Sequence, residues 1–164
     1  MIAEEVGRLL RSKGLTVSVA ESCTGGRLGN MLTDVPGSSD YFLGGVISYS
    51  NDAKLSLLGV NSKTLKVKGA VSEEVAIQMA AGARTKLGAD IGIGITGIAG
   101  PAGGTPAKPV GLVYVAVSSL VSSECSRNVF RGSRSSIKDQ SARKALEMLG
   151  EFLKKTEQAQ STAL

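Results

Sequence analysis

The sequence contains no histidine and no tryptophan, and its 164 residues include only two cysteines. Without an imidazole there is no Ser-His-Asp triad, no Cys-His pair and no histidine-bearing metal site, so a proton acceptor must be Lys, Tyr, Asp, Glu or water. Cys23 and Cys125 are too few for a disulfide framework. With no Cys-x-x-Cys pair and no carboxylate cluster at ligand spacing, no metal and no cofactor is expected. Aromatic residues are 4% of the chain, which leaves few platforms for stacking bases, and the 19 Lys and Arg are scattered along it. Nucleic acid is therefore disfavoured as a partner, and the formal charge of +5 suits attraction of a small phosphorylated ligand. No apolar run approaches the roughly 18–20 residues of a membrane span, and Met1-Ile2-Ala3-Glu4-Glu5 lacks the basic start of a secretory leader. A cytoplasmic protein without membrane contact is expected.

What is present is an ordinary globular balance, 42% apolar and 20% charged, in a chain of one-domain length, so residues 1–164 read as a single domain. Ile2, Val6, Leu9 and Leu10 recur at helical spacing before Gly14, which predicts a helix over 1–13. Thr16–Ala20 alternates as a strand, and a helix from Thr24 to Leu32 follows it. Leu43–Ser50 reads as a strand, Asp52–Leu58 as a helix capped by Asn51, and 62–68 as a short helix. Ser72-Glu73-Glu74 opens a helix to Leu87 with Val75, Met79 and Ala83 on one stripe. Asp90–Thr96 alternates isoleucine with glycine, a strand that something approaches closely. Two strands, Val110–Ser118 and Glu124–Arg131, precede a last helix over 135–155 and a frayed tail over 156–164. The alternation implies an α/β fold, a three-layer α/β/α sandwich with a mixed, mostly parallel sheet.

Ligands in such sheets bind beyond the carboxyl ends of the strands, where three hydroxyl- or glycine-rich segments fall. In the first, Glu21-Ser22-Cys23-Thr24-Gly25-Gly26, Ser22 is a nucleophile and Thr24–Gly26 hold a negative group at a helix start, or else Ser22 or Thr24 is simply a cap. Cys23 is either a thiol activated by the helix or a small packed residue. In the second, Tyr49-Ser50-Asn51-Asp52-Ala53-Lys54, a lysine in the first helical turn points back toward Ser22 and serves as a base, or lies at the surface. Tyr49 relays a proton or is packed. The third, Thr96-Gly97-Ile98-Ala99-Gly100-Pro101-Ala102-Gly103-Gly104, has the composition of a phosphate cradle but neither the Walker nor the Rossmann spacing. Arg131 and Arg134 offer guanidinium forks to a phosphate or form a solvated turn.

These segments, with Gly69-Ala70-Val71-Ser72 and Lys108-Pro109-Val110-Gly111, closely resemble the C-terminal domain family of CinA, the competence/damage-inducible protein. The resemblance spans residues 2 to about 154. It implies a nicotinamide-nucleotide amidase converting nicotinamide mononucleotide to nicotinic acid mononucleotide and ammonia, with a serine–lysine mechanism on Ser22, Tyr49 and Lys54. A homo-oligomer without a cofactor is expected. The substrate-binding set expected from the motifs is Glu21, Cys23, Thr24, Gly25, Gly26, Ser50, Asn51, Thr96, Gly97, Gly100, Gly103, Gly104, Arg131 and Arg134. The rival reading is a non-catalytic nucleotide- or phosphate-binding module in which Ser22 only caps its helix. One departure stands near the end, where the family often has Gly-Asp-Arg and this chain has Gly132-Ser133-Arg134. An acidic contact is expected to be missing or replaced there.

Overall fold

A computed structural model of the chain describes the backbone of residues 1–162 and the side chains of residues 1–156. Five strands form one sheet in the order β2-β1-β3-β4-β5, with β1 Val17–Glu21, β2 Phe42–Ile47, β3 Ile91–Gly97, β4 Leu112–Ser118 and β5 Ser123–Val129. β2, β1 and β3 are parallel, and β4 runs antiparallel to both β3 and β5. Four of the five strands thus point one way, the mixed, mostly parallel sheet expected. Among the described residues no helix is long and apolar enough to cross a membrane.

Helices cover both faces. On one side lie α1 Ile2–Lys13, α2 Arg27–Thr33 and α6 Arg134–Thr162, and on the other α3 Asn51–Leu58, α4 Ser62–Lys68 and α5 Glu73–Leu87. The first layer closes the main core: Val6, Leu9 and Leu10 of α1 and Ile137, Leu149 and Leu153 of α6 are buried against Val17, Val19, Ile93 and Val115. Full burial of such side chains contributes about 1.5–3 kcal/mol each. The stripe Val75, Met79 and Ala83 is likewise fully buried, and Gly14 and Gly88 end α1 and α5 in the left-handed conformation.

The alternation in β3 has a structural cause. Ile91, Ile93 and Ile95 enter the main core, whereas Gly92 and Gly94 turn to α5, where a Cβ would collide with the carbonyl oxygens of Ala80 and Ala76. The close neighbour is a helix backbone and not a ligand. The register then fixes where the site forms. Glu21 lies opposite both Ile47 and Ile95, so the parallel pairing ends level across the three strands and Ser22, Ser48 and Thr96 lie side by side just beyond it.

Three local expectations change. The cap of α3 is Ser50, whose hydroxyl accepts from the Ala53 N–H at 3.1 Å, and Asn51 is the first helical residue. The second helix begins at Arg27, after an irregular turn over 22–26, and not at Thr24. The last helix runs through Thr162, so most of the segment expected to fray is helical; residues 163–164 lie outside the described residues.

Candidate functional site

At the carboxyl edge of the sheet, Ser22 leaves β1 with its N–H bonded to the Ile95 carbonyl at 3.0 Å. That ladder bond fixes its backbone, and the turn beyond it directs the hydroxyl across to α3. Lys54 sits in the first turn of α3, and a helical side chain points back toward its N-terminus, here toward the end of β2. Its Nζ lies 2.9 Å from Ser22 Oγ, 2.8 Å from the Ser48 carbonyl oxygen and 3.3 Å from the Tyr49 carbonyl oxygen. Lys54 is 1% exposed, and burial lowers its pKa from the ordinary lysine value, against a smaller opposing influence of Cys23. Two of the amine's N–H donors meet two carbonyls, and its third position faces a hydroxyl, which accepts from the charged form and can donate to the lone pair of the neutral form.

The turn Ser22–Gly26 differs from its expected use. The Glu21 carboxylate accepts from the N–H groups of Gly26 at 3.0 Å, Leu28 at 3.2 Å and Gly29 at 2.8 Å. The start of α2 is therefore already filled by an internal anion. Glu21, Thr24, Gly25 and Gly26 do not line the cavity, and Glu21 and Thr24 are fully or almost fully buried. The expectation that Thr24–Gly26 hold a ligand's negative charge fails at Gly25 and Gly26, whose N–H groups go to the Ser22 carbonyl and to the Glu21 carboxylate. Of the turn, Ser22 and Cys23 line the cavity, and the N–H groups of Cys23 and Thr24 donate to no main-chain oxygen among the described residues.

A cavity of about 260 Å³ opens beside Ser22 and Lys54, lined also by Cys23, Tyr49, Asn51, Thr96, Gly97, Gly100, Gly103 and Arg134. Arg134 bridges two walls, donating to the Gly100 carbonyl at 2.7 Å and to the Tyr49 hydroxyl at 3.0 Å. Tyr49 is 62% exposed at the rim, and its contact with Lys54 runs through its main-chain carbonyl, not through the phenol. Ser50, Gly104 and Arg131 fall outside the cavity. Ser50 is the cap of α3, and Gly104 is a glycine because a Cβ would lie 2.7 Å from the Val110 nitrogen.

Ala70 and Val71 also line the cavity, between α4 and α5, although no role could be read for them in the sequence. Thr96 Oγ1 holds this wall through the Ala70 carbonyl at 2.8 Å, and Lys108 Nζ does so through the Lys68 carbonyl at 2.6 Å. Two small apolar residues between helices carry no chemical signal; only the left-handed Gly69 before them marks a special backbone. Ser133, where the family often has aspartate and an acidic contact was expected to be missing or replaced, accepts from the Ser136 N–H at 3.2 Å and so starts α6. Serine and aspartate are equally good helix caps, so the departure exchanges one cap for another.

Cys23 is 6% exposed, and burial pushes its thiol up to about 11, the reverse of the lowering expected from a helix N-terminus. It is a packed thiol at neutral pH. Cys23→Ala is expected to retain turnover within a few-fold, and iodoacetamide at pH 7.5 is expected to leave Cys23 unlabelled by mass spectrometry. Rapid labelling that abolishes activity would instead mark a thiol nucleophile.

Fold and site together define a three-layer α/β protein with a buried hydroxyl–amine pair at the carboxyl edge of its sheet. The chain belongs to the CinA C-terminal domain family, whose family model matches residues 1–153. A CinA-like protein of Nostoc punctiforme is 55% identical over 152 residues, which is 90% of this chain and 36% of that protein. The chain spans about a third of the length of the curated relatives it matches. A crystal structure of a competence-damaged protein (CinA) superfamily protein from Klebsiella pneumoniae superposes with a TM-score of 0.90 at 38% identity, covering 93% of this chain and 95% of that one. The competence/damage inducible protein of Agrobacterium tumefaciens gives 0.85 at 41% identity, covering 91% and 94% respectively.

Proposed function

We propose that this chain is a serine–lysine amidohydrolase acting on the carboxamide of nicotinamide mononucleotide, releasing ammonia and nicotinic acid mononucleotide. The observation that carries the reading is the 2.9 Å contact between Ser22 Oγ and a buried Lys54 whose other two partners are carbonyl oxygens. Lys54 in its neutral form takes the Ser22 proton as Oγ attacks the carboxamide carbon. The main-chain N–H of Cys23, a residue that lines the cavity, is the candidate donor to the oxyanion. The amine returns the proton to the leaving nitrogen, ammonia departs, and water activated by Lys54 releases the acid and regenerates Ser22.

Since Glu21 occupies the start of α2, the substrate's phosphate is assigned to the Gly97–Gly103 loop and Arg134. A guanidinium carries five N–H donors, and Arg134 uses two of its nitrogens on Gly100 and Tyr49, leaving further donors for a phosphate. Arg134→Ala is expected to raise KM roughly 10- to 100-fold with a smaller change in kcat, the range for losing a charge-assisted contact. Steady-state kinetics check it, and an unchanged KM would move the phosphate elsewhere.

The experiment that tests the function is ammonia release from nicotinamide mononucleotide by purified protein. A chain that binds the nucleotide but turns none over would be the binding module and not the enzyme.

A further inference from the structure

We propose that Glu21 is the positioning residue for the Ser22 nucleophile, acting through the turn it holds and not through the substrate. The inference rests on the amidase reading. Period-two alternation along β1 puts Glu21 on the same face as Val17 and Val19, which pack in the main core. A carboxylate on such a face is costly unless its oxygens are satisfied, and here they receive three N–H groups from Gly26, Leu28 and Gly29.

The turn between them needs that anchor. Gly25 and Gly26 are consecutive left-handed residues, at φ 60° and 105°, and glycine loses the most conformational freedom on ordering. The turn's own backbone bonds are long: Gly25 N–H to the Ser22 carbonyl at 3.2 Å and Arg27 N–H to the Thr24 carbonyl at 3.3 Å. Bonds to a carboxylate are about twice as strong as neutral ones, and those from Gly29, Gly26 and Leu28 measure 2.8, 3.0 and 3.2 Å. Glu21 therefore ties the far side of the turn back to the strand that launches it. One chain segment then delivers the Ser22 hydroxyl to Lys54 and sets Cys23 beside it in the cavity wall. A glutamine offers one acceptor oxygen and turns an NH2 toward N–H donors, and an aspartate is one methylene short, so neither holds all three bonds.

Glu21→Gln and Glu21→Asp, each verified as folded by circular dichroism, test this with two readouts. The first is steady-state kinetics on nicotinamide mononucleotide. Expected are a kcat about 10²-fold lower in Glu21→Gln, the scale of a misplacement of about 1 Å, with KM and the apparent pKa of the rate profile unchanged. The second needs no substrate: a fluorophosphonate is attacked at phosphorus by Ser22 Oγ, fluoride leaves, and the hydroxyl proton passes to Lys54. Labelling of Ser22, followed by mass spectrometry, is expected to slow by the same factor as kcat. Wild-type kcat or wild-type labelling in both variants overturns the proposal, as does a rise in KM with kcat intact, which would make Glu21 a substrate contact. Failure of both variants to fold also overturns it, leaving Glu21 a folding residue only. If the wild type labels at Ser22 yet releases no ammonia, the amidase reading fails while the labelling ratio still decides for or against Glu21. A wild type that does not label overturns both.

Discussion

Alanine at Ser22 or at Lys54 is expected to lower ammonia release by about 10³-fold or more, and the double variant is expected to fall no further. In the proposed mechanism one proton passes between the two side chains across 2.9 Å, so removing either disables the same step. Lys54→Arg should not restore turnover, because a guanidinium stays charged and cannot accept the hydroxyl proton. The rate of the wild type should rise with pH through the pKa of Lys54, which burial holds below the ordinary value of 10.5. The same shift predicts a stability effect with a definite sign. Between the lowered folded pKa and 10.5 the unfolded chain binds more protons than the folded one, so folding stability rises with pH across that window. Lys54→Met, which cannot be protonated, should lose this rise. A Lys54→Arg variant with near-normal turnover and the wild-type pH profile would remove the base role, and thermal melts from pH 7 to 10.5 check the linkage.

Gly82→Ala is expected to destabilise the fold by about 2 kcal/mol and to lower kcat as well, although glycine lies within helix α5. Helix propensity alone favours the alanine by about 1 kcal/mol. Against that, a Cβ at residue 82 would collide with the Leu58 carbonyl oxygen and sit 2.9 Å from its carbon and 3.0 Å from its Cα. Those are backbone atoms of the last residue of α3 and cannot swing aside. The whole of α3 must retreat, and it carries Lys54 one turn earlier. Withdrawal of its Nζ from Ser22 by about 1 Å should reduce kcat by about 10²-fold. Calorimetry and steady-state kinetics measure both effects. A variant that melts at or above the wild-type temperature with full turnover would show that the helix crossing does not position the lysine.

Much of this site was legible in the chain because it depends on local chemistry. With no histidine present, any proton acceptor had to be another residue, and the segments carrying Ser22 and Lys54 could be placed at a strand end and a first helical turn from hydrophobic periodicity and turn residues. The stripes of α1 and α5 and their terminal glycines follow equally local rules, one helical period and one left-handed residue. Tertiary structure decided what depends on pairs of residues far apart in sequence. The level register of β2, β1 and β3 brings Ser22 within 2.9 Å of Lys54, and no spacing along the chain encodes a register. The turn after β1 has the composition of an anion cradle, yet the N–H groups of Gly26 and of the first turn of α2 are taken by Glu21, because the strand face on which that carboxylate lies is set by packing. Arg134 reaches Tyr49 only because α6 returns to the edge of the sheet, joining residues 85 apart. The alternating glycines of β3 announced a close approach, but only the packed fold could say that the neighbour is the backbone of α5, since a missing Cβ looks the same to a helix as to a ligand.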